Sequence, residues 1–308
     1  MTTALITGAN GFIGRNLITR LLKERVRIYA VVLPEESVSD CLSNENVTIV
    51  RGNLEDSHLD ASLFPEKIDV LYHFAWIGVN PESRKSFEIQ HRNITLLVNV
   101  LNLAKNLNVA KFILPGSTNE YLYSGGLINS KSIPTPRDDY GSMKVATRYI
   151  AKQFCADNEI DFVYAVISGI YSEQRKDSNV ITYTIEKLLK GEKPSLSKLE
   201  QKWDYVHIDD AVEALYLIGE KGKNGAFYAI GHGDNIPLSS YIRIIHKKIN
   251  TAIPLGIGEI PYSFSEMPSS CIDLSDLKKD TGFVPKIDFE TGIEKVIERL
   301  KGNTCDKF

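Results

Sequence analysis

The chain has 308 residues, of which 43% are hydrophobic and 24% are charged, and its formal net charge is −3. This size and balance are typical of a globular protein with one large or two modest domains, and they argue against a disordered or fibrous chain. Lysine and arginine total 36 against 39 acidic residues, without a basic run, so an electrostatic footprint for nucleic acid is missing.

The apolar runs of the chain are short. Ile28–Leu33 and the stretch around Phe112–Pro115 fall far below the roughly 18–20 residues that a membrane-spanning helix needs, so no span is predicted. Met1–Ile6 runs directly into a strand pattern without a basic segment or a cleavage site, which predicts a cytoplasmic protein without a secretory signal. We therefore expect small molecules or other protein chains as partners.

Four cysteines are scattered along the chain without paired spacing: Cys41, Cys155, Cys271 and Cys305. This arrangement favours neither a disulfide framework nor a zinc cluster. We therefore predict reduced thiols and no metal site.

Strands and helices alternate along the first part of the chain. Hydrophobic periodicity predicts strands at Thr3–Thr7, Arg27–Leu33, Val47–Val50, Val70–Phe74, Lys111–Leu114 and Phe162–Ile167. It predicts helices at Phe12–Lys23, Ile94–Asn106 and Gly141–Asn158. Such alternation predicts an α/β fold with a Rossmann-like, doubly wound parallel sheet covered by helices on both faces.

The pattern changes after Gly169. Helices are predicted at Val180–Leu189, Leu238–Ile249 and Asp288–Lys301, and Tyr205–Leu217 predicts a strand entering a helix capped by Asp209. We expect two interleaved domains. Residues 1–166 plus about 204–230 form the larger one, and residues about 167–203 plus 231–308 form a smaller C-terminal one.

A glycine-rich turn joins the first strand to the first helix, in the sequence Thr7-Gly8-Ala9-Asn10-Gly11-Phe12-Ile13-Gly14. Backbone N–H groups at the start of a helix can receive a pyrophosphate, so the larger domain is predicted to bind a dinucleotide coenzyme. The residues expected to contact it are Gly8, Asn10, Gly11, Phe12, Ile13 and Gly14. The alternative is a tight turn that only brings helix and strand together.

The residue at the end of the second strand normally indicates which nicotinamide coenzyme is bound. An acidic residue there bonds the ribose hydroxyl of NAD, whereas an arginine accommodates the extra phosphate of NADP. Leu33 at this end is neither, and Glu35 lies further along. Arg15 follows the third glycine and favours NADP if it turns toward the adenosine, although it can equally be a solvated arginine. Both NAD and NADP therefore stay open, with NADP favoured.

Tyr140 and Lys144 stand four residues apart, which places both on one face of a helix, and Ser117 precedes them directly after a strand. A phenol with a pKa of about 10 is a poor acid or base near neutral pH, and a nearby ammonium favours its ionised form. Lys144 would thus tune Tyr140, while Ser117 would hydrogen-bond the reacting oxygen. Thr118 is the alternative to Ser117 as the residue whose hydroxyl bonds the reacting oxygen. A surface pair on an amphipathic helix is the alternative for Tyr140 and Lys144.

The glycine spacing Gly-x-x-Gly-x-x-Gly and these three side chains resemble the extended short-chain dehydrogenase/reductases. Further segments resemble its nucleotide-sugar branch, the NAD-dependent epimerase/dehydratase family, over nearly the whole chain. They are Gly52–Asp56, Tyr72–Trp76, Val166–Tyr171 and Trp203–Asp210. The resemblance implies that Ser117, Tyr140 and Lys144 are catalytic. It also implies coenzyme contacts from Asn53, Leu54, Phe74, Ala75, Trp76, Asn93, Tyr140, Lys144 and Ile167.

In that family a nucleotide-diphosphate sugar lies between the two domains, so the smaller domain is expected to bind substrate. The implied substrate contacts are Ser117, Thr118, Asn119, Tyr140, Asn179, Val180 and Trp203. For Asn179 the alternative is a helix cap without a ligand. The chain departs from the family at Ser168, at Trp203, which replaces an arginine, and at Met267-Pro268, where a phosphate-binding arginine usually stands.

The histidines His73, His91 and His207 have no partner at metal-ligand spacing, so we predict structural roles for them. The acidic pairs Asp138-Asp139 and Asp209-Asp210 are more typical of helix caps or solvated faces than of catalytic dyads.

The dehydratases of this family need an Asp-Glu pair after the catalytic threonine. Ser117 is followed by Thr118-Asn119 and Thr118 by Asn119-Glu120, so neither alignment supplies both acids and dehydration is not expected.

The compact chain resembles the 4-ketoreductases of deoxysugar biosynthesis, which use NAD(P)H to reduce a nucleotide-linked 4-keto-6-deoxyhexose. The alternatives are an NAD-dependent nucleotide-sugar 4-epimerase and a non-catalytic NAD(P)-sensing protein. The family also implies a homodimer formed through the helices Ile94–Asn106 and Gly141–Asn158.

Overall fold

The computed structural model describes residues 1–56, 59–121, 126–175, 179–262 and 270–305. Its strands are β1 (Thr3–Thr7), β2 (Arg27–Val32), β3 (Val47–Arg51), β4 (Val70–His73), β5 (Lys111–Ser117), β6 (Asp161–Ile167), β7 (Gly169–Tyr171), β8 (Ser195–Leu196), β9 (Lys202–Trp203), β10 (Tyr205–His207), β11 (Phe227–Ile230), β12 (Ile236–Pro237) and β13 (Gly256–Ile257).

The helices are α1 (Phe12–Leu22), α2 (Phe87–Gln90), α3 (Arg92–Asn106), α4 (Asp139–Asp157), α5 (Val180–Leu189), α6 (Ile208–Lys221), α7 (Leu238–Ile249), α8 (Ser275–Thr281) and α9 (Phe289–Cys305). Short 3-10 helices occupy Asp40–Leu42, Ala61–Leu63, Ser83–Lys85 and Thr118–Glu120. In the part of the chain described here, no helix is long and apolar enough to cross a membrane.

Seven strands form the central sheet in the order β3-β2-β1-β4-β5-β6-β11, and every neighbouring pair is parallel. The order reverses direction beside β1, as in doubly wound sheets that bind ligands at the carboxyl ends of their strands. The residues of β1 are all buried, as expected for a parallel strand with both faces covered. The predicted Rossmann-like α/β fold is confirmed.

Most predicted elements agree with the structure within a few residues, but the sequence patterns miss α2 and the short strands β7, β8, β9, β12 and β13. The strand β5 extends to Ser117, because its register with β6 continues as far as Ile167. Neither β11 nor α8 was expected. The four residues of β11 are too few for hydrophobic periodicity to predict a strand, and they form one because they pair with β6.

The predicted cap of the helix after β10 is wrong. The helix α6 begins at Ile208 and its cap is His207, whose Nδ1 accepts a hydrogen bond from the backbone N–H of Asp209 at 3.3 Å. Asp209 therefore lies within the first turn, where its negative charge favours the helix dipole.

Buried apolar side chains form two clusters. The first lies on both faces of the central sheet and includes residues of α1, α3 and α6. The second joins α5, α7 and α9, with Ile185, Tyr241 and Ile293 fully buried. The chain passes between the clusters several times, including after β6 and after β11.

Candidate active site

The glycine-rich turn brings the backbone of β1 against that of the segment after β4. Gly8 has φ +65°, and a Cβ added there would lie 2.6 Å from the backbone N of Ala75. A Cβ on Gly14 would lie 2.4 Å from the carbonyl oxygen of Gly8. Only glycine fits at both positions, so α1 starts close to the edge of the sheet.

The start of α1 suits an anion. Its cap, Gly11, makes no side-chain hydrogen bond to the helix, and its first turn, which includes Phe12 and Ile13, carries no acidic residue. The first N–H groups of a helix need acceptors and lie at its positive end. The turn therefore fits the pyrophosphate of a dinucleotide. Asn10, which is also predicted to contact the coenzyme, holds the segment after β2, since its Oδ1 accepts hydrogen bonds from Ser39 N at 2.9 Å and Ser39 Oγ at 2.7 Å.

Ser117, Tyr140 and Lys144 lie together beside the carboxyl end of β5. The Ser117 hydroxyl lies near the phenol of Tyr140 and lowers its pKa. Tyr140 and Lys144 are 8% and 6% exposed. The helix that carries them starts here because Asp138 Oδ1 accepts a hydrogen bond from Gly141 N at 2.7 Å.

The ammonium of Lys144 contacts the main chain and an indole. Its Nζ donates a hydrogen bond to Pro115 O at 3.1 Å and lies 3.6 Å from the ring centroid of Trp76. The same atom is 5.8 Å from the ring centroid of Tyr140. Burial lowers the pKa of Lys144. Burial thus disfavours the protonated form of Lys144.

The side-chain amides of Gln90 and Asn93 stabilise the loop after β4 by hydrogen bonds. Gln90 Nε2 donates to Gly78 O at 2.6 Å, and its Oε1 accepts from Trp76 Nε1 at 3.0 Å. Asn93 Oδ1 accepts from Ile77 N at 2.7 Å. Asn93, predicted from the resemblance to contact the coenzyme, is fully buried and uses its amide to shape the loop that does lie beside Tyr140.

Arg84 is a functional candidate that the sequence analysis missed. Its guanidinium carbon lies 4.7 Å from the ring centroid of Tyr140, and the Trp76 ring meets the same phenol edge-on at 5.7 Å. Burial raises the pKa of Tyr140, while the guanidinium of Arg84 and the hydrogen bond from Ser117 lower it. The polar sequence around Arg84 contains no motif that could have revealed this contact.

Glu120, which the sequence presents only as half of an acid pair, lies behind Ser117 in the structure. It is fully buried, and its Oε1 accepts hydrogen bonds from Ser117 N at 2.7 Å and from the Tyr164 hydroxyl at 2.7 Å. Burial raises the pKa of its carboxyl group. Thr118, the alternate hydroxyl, is buried in the same 3-10 helix, and Asn119 packs against the start of α4.

The adenosine end of the predicted coenzyme site is open. Leu33 is 55% exposed beyond β2, and Arg51 Nη1 donates to Pro34 O at 2.7 Å and to Glu36 O at 3.0 Å. The guanidinium of Arg15 lies over the ring of Phe12 at 5.8 Å.

The remaining predicted coenzyme residues lie near the ends of the central strands. Phe74 and Ala75 follow β4, and Ile167 pairs with Ser117 at the end of β6. Asn53 and Leu54 follow β3, where Asn53 Oδ1 accepts a hydrogen bond from Glu55 N at 3.1 Å.

The predicted substrate residues of the smaller domain lie on two elements. Asn179 caps α5, its Oδ1 accepting hydrogen bonds from Ile181 N and Thr182 N, and Val180 begins that helix. Trp203 ends β9, and a Cβ on Gly169 would lie 3.1 Å from its indole nitrogen. Met267-Pro268 lies outside the described residues.

Two histidines have structural environments. His73 is buried with its Nδ1 2.7 Å from Thr7 Oγ1, and burial lowers its pKa to about 3. His207 is fully buried and caps α6. Within the described ranges, no group of three or more His, Cys, Asp or Glu side chains could hold a metal ion.

The sequence profile of the NAD dependent epimerase/dehydratase family matches residues 4–231. The chain belongs to this family. It is thus a nucleotide-sugar epimerase, dehydratase or reductase-type enzyme, with the NAD-dependent oxidoreductase chemistry of the extended short-chain dehydrogenase/reductases. The resemblance noted in its sequence is confirmed.

Three family members show the range of similarity. A dTDP-D-glucose 4,6-dehydratase from Dictyostelium discoideum is 28% identical, over 81% of this chain but only 62% of that protein. The dTDP-4-dehydro-6-deoxyglucose reductase of Escherichia coli is 24% identical over 96% of this chain and 97% of its own. The structure of a UDP-glucose 4-epimerase from Thermotoga maritima, with UDP-glucose, has a TM-score of 0.84 at 20% identity, covering 98% and 99% of the two chains.

Proposed function

We propose that this family member reduces the 4-keto group of a nucleotide-linked 4-keto-6-deoxyhexose with NAD(P)H. The observation that carries the proposal is the environment of Glu120. Its carboxyl group is buried and bonded to Ser117 N and Tyr164, and the residue before it, Asn119, is an amide. Elimination of water needs an acid and a base that reach the sugar, and this segment offers neither. The end-to-end match with a 4-keto sugar reductase also supports reduction.

In the proposed reaction the bound nicotinamide coenzyme supplies the hydride that reaches C4 of the sugar. Tyr140 donates its phenolic proton to the C4 oxygen, so the ketone becomes an alcohol. Ser117 donates a hydrogen bond to the same oxygen and stabilises the negative charge that develops there. Tyr140 then recovers a proton from solvent. Lys144, next to this phenol, is assigned to the ribose of the coenzyme.

Purified protein mixed with a nucleotide 4-keto-6-deoxyhexose should oxidise NADPH or NADH in stoichiometric amounts and yield the deoxysugar.

Tyr140→Phe should lower the rate of this reaction by about 10²–10⁴-fold, because it removes the proton donor, while coenzyme affinity stays unchanged. Absorbance of the reduced nicotinamide measures turnover, and calorimetry measures binding. Parental turnover by Tyr140→Phe would contradict the assignment.

A 4-epimerase is the second candidate, because it uses the same three side chains and the T. maritima epimerase shares the fold. Inversion of the C4 hydroxyl of a nucleotide hexose, without net consumption of coenzyme, would identify it. Coenzyme binding without turnover of any keto or hydroxy sugar would instead identify a sensing protein.

We further propose NADP as the preferred coenzyme, on the position of Arg15 beside the glycine-rich turn. Comparing the dissociation constants of NADPH and NADH tests this preference.

The proposed assembly is a homodimer formed through α3 and α4. Val98 and Tyr149 on these helices are large apolar side chains that are exposed in the single chain. Sedimentation velocity at several protein concentrations measures the assembly state.

A further inference from the structure

The phenol of Tyr140 has a second cation beside it, which comes from a loop rather than from its own helix. The guanidinium carbon of Arg84 lies 4.7 Å from the ring centroid, whereas Lys144 Nζ lies 5.8 Å from it. Arg84 belongs to the 3-10 helix Ser83–Lys85, more than 50 residues from Tyr140 in sequence. The contact therefore exists only because the loop after β4 folds against α4.

The loop holds Arg84 in place through its main chain. Arg84 N donates a hydrogen bond to Asn80 O at 3.0 Å, and Ser83 N donates to Asn80 Oδ1 at 2.8 Å. Ser83 O accepts from Gln90 Nε2 at 3.0 Å, and Gln90 is fully buried. Three hydrogen bonds thus fix the turn that presents the guanidinium to the phenol.

Among the residues that the structure describes, no carboxylate forms an ion pair with the guanidinium of Arg84. Its Nε is buried and makes no hydrogen bond to any side chain or main-chain group in the described ranges. Burying a donor without an acceptor costs about 1–3 kcal/mol, so a structural role alone does not account for this placement. The face of an aromatic ring attracts a cation, and the attraction strengthens when the ring oxygen is ionised.

The two cations near Tyr140 differ in how firmly they stay charged. An arginine keeps its proton in proteins, whereas a lysine readily loses its proton when buried. Burial lowers the pKa of Lys144, the carboxyl group of Glu120 raises it by a smaller amount, and the guanidinium of Arg84 lowers it. Arg84 is thus the permanent positive charge beside the phenol of Tyr140.

We propose that Arg84 is a positioning residue that sets the acidity of Tyr140, its guanidinium lying on the phenol ring and stabilising the phenolate. This inference deepens the proposed function and rests on its assignment of Tyr140 as the proton donor. Several groups face Tyr140 from the elements packed around it: Arg84 and Trp76 from the loop after β4, Ser117 and Glu120 from β5 and its 3-10 helix, and Asp138 and Lys144 from the start of α4.

The sign of each contribution is clear. Arg84 and Ser117 lower the pKa of Tyr140, whereas Glu120 and Asp138 raise it, against the larger upward effect of burial. An opposite charge about 4–6 Å away typically lowers the pKa of an acid by about 1–3 units. Removing the charge of Arg84 should therefore raise the pKa of Tyr140 and reduce the phenolate fraction at a given pH by about tenfold or more.

The test replaces Tyr140 by a fluorinated tyrosine, whose phenol is more acidic, and follows its single fluorine NMR signal as the pH of the full-length protein is raised. Arg84→Met keeps an apolar chain on the ring but removes the charge, and should raise the titration midpoint by about one unit. Arg84→Lys should restore part of the difference. The matched control is Lys85→Met, which removes an exposed cation from the same turn and should leave the midpoint unchanged.

An unchanged midpoint in Arg84→Met, in a protein that unfolds at the parental temperature, would overturn the proposal, as would an equal shift in Lys85→Met. Arg84→Gln is the second charge-removing variant if the methionine protein does not fold. The titration needs neither substrate nor turnover, so its result is independent of the sugar that the enzyme accepts. A wrong substrate class would appear instead as absent turnover with an intact midpoint shift.

Discussion

The glycine-rich turn can approach the segment after β4 because Gly8 has no side chain. Gly8 adopts φ +65°, a region that other residues rarely enter, and its Cα faces the backbone of Phe74 and Ala75. The sequence motif predicted the glycine-rich turn, but not its contact with the segment after β4. By contrast, the positions of Arg84 on Tyr140 and of Glu120 behind Ser117 have no signature in the sequence, because each depends on the packing of another element.

Gly8→Ala should destabilise the protein by about 2–3 kcal/mol, because the added methyl meets backbone atoms in a strained conformation. It should also weaken coenzyme binding, since the turn must move away from the start of α1. Urea unfolding and calorimetric titration with NAD(P)H measure the two effects. The control is Gly126→Ala, where an added Cβ meets nothing within 4 Å. Parental stability and affinity in Gly8→Ala would refute this explanation.

Sequence patterns predict the start of α5 correctly and the start of α6 incorrectly. The start of α5 was predicted at Val180, and the cap Asn179 accepts hydrogen bonds from two backbone N–H groups. The start of α6 was misassigned, because the pattern favoured Asp209 over the buried cap His207. Capping propensities rank aspartate high but do not anticipate a histidine that is held by its surroundings.

Two variants of Asn179 separate a cap from a ligand contact. Asn179→Ala should cost about 1 kcal/mol of stability, because two N–H groups lose their acceptor. Asn179→Asp keeps the acceptor and the stability, but its negative charge should weaken binding of a nucleoside diphosphate about tenfold, or about 1.4 kcal/mol. Thermal unfolding and calorimetry measure these quantities. If the aspartate variant binds the nucleotide normally, Asn179 is a cap only.

At the scale of the whole molecule, one carboxylate links two of the connections through which the chain passes between its hydrophobic clusters. Asp204 is fully buried and accepts hydrogen bonds from Ser168 Oγ at 3.0 Å, His232 N at 2.9 Å and Gly233 N at 2.6 Å. Ser168 follows β6, and the other two donors follow β11. The three bonds thus fix how both connections leave the central sheet.

Asp204→Ala should destabilise the protein by about 3 kcal/mol or more, because three donors lose their acceptor and two of them belong to the main chain. Denaturant unfolding gives the free energy, and changes in its slope report loss of cooperativity between the clusters. Asp209→Ala is the matched control, since that side chain is 62% exposed, and it should change stability by less than about 0.5 kcal/mol. Equal effects in both variants would contradict the role given to Asp204.

The sequence by itself determined the parallel α/β sheet, the glycine-rich turn, and the placement of Tyr140 and Lys144 on one helix face. Each follows from local periodicity or from a backbone constraint that neighbouring residues set. Only the tertiary structure decided that Arg84 lies on Tyr140, that Glu120 turns inward, and that β11 completes the sheet. These depend on contacts between residues far apart in sequence, whose geometry is set by packing and hydrogen bonding across elements.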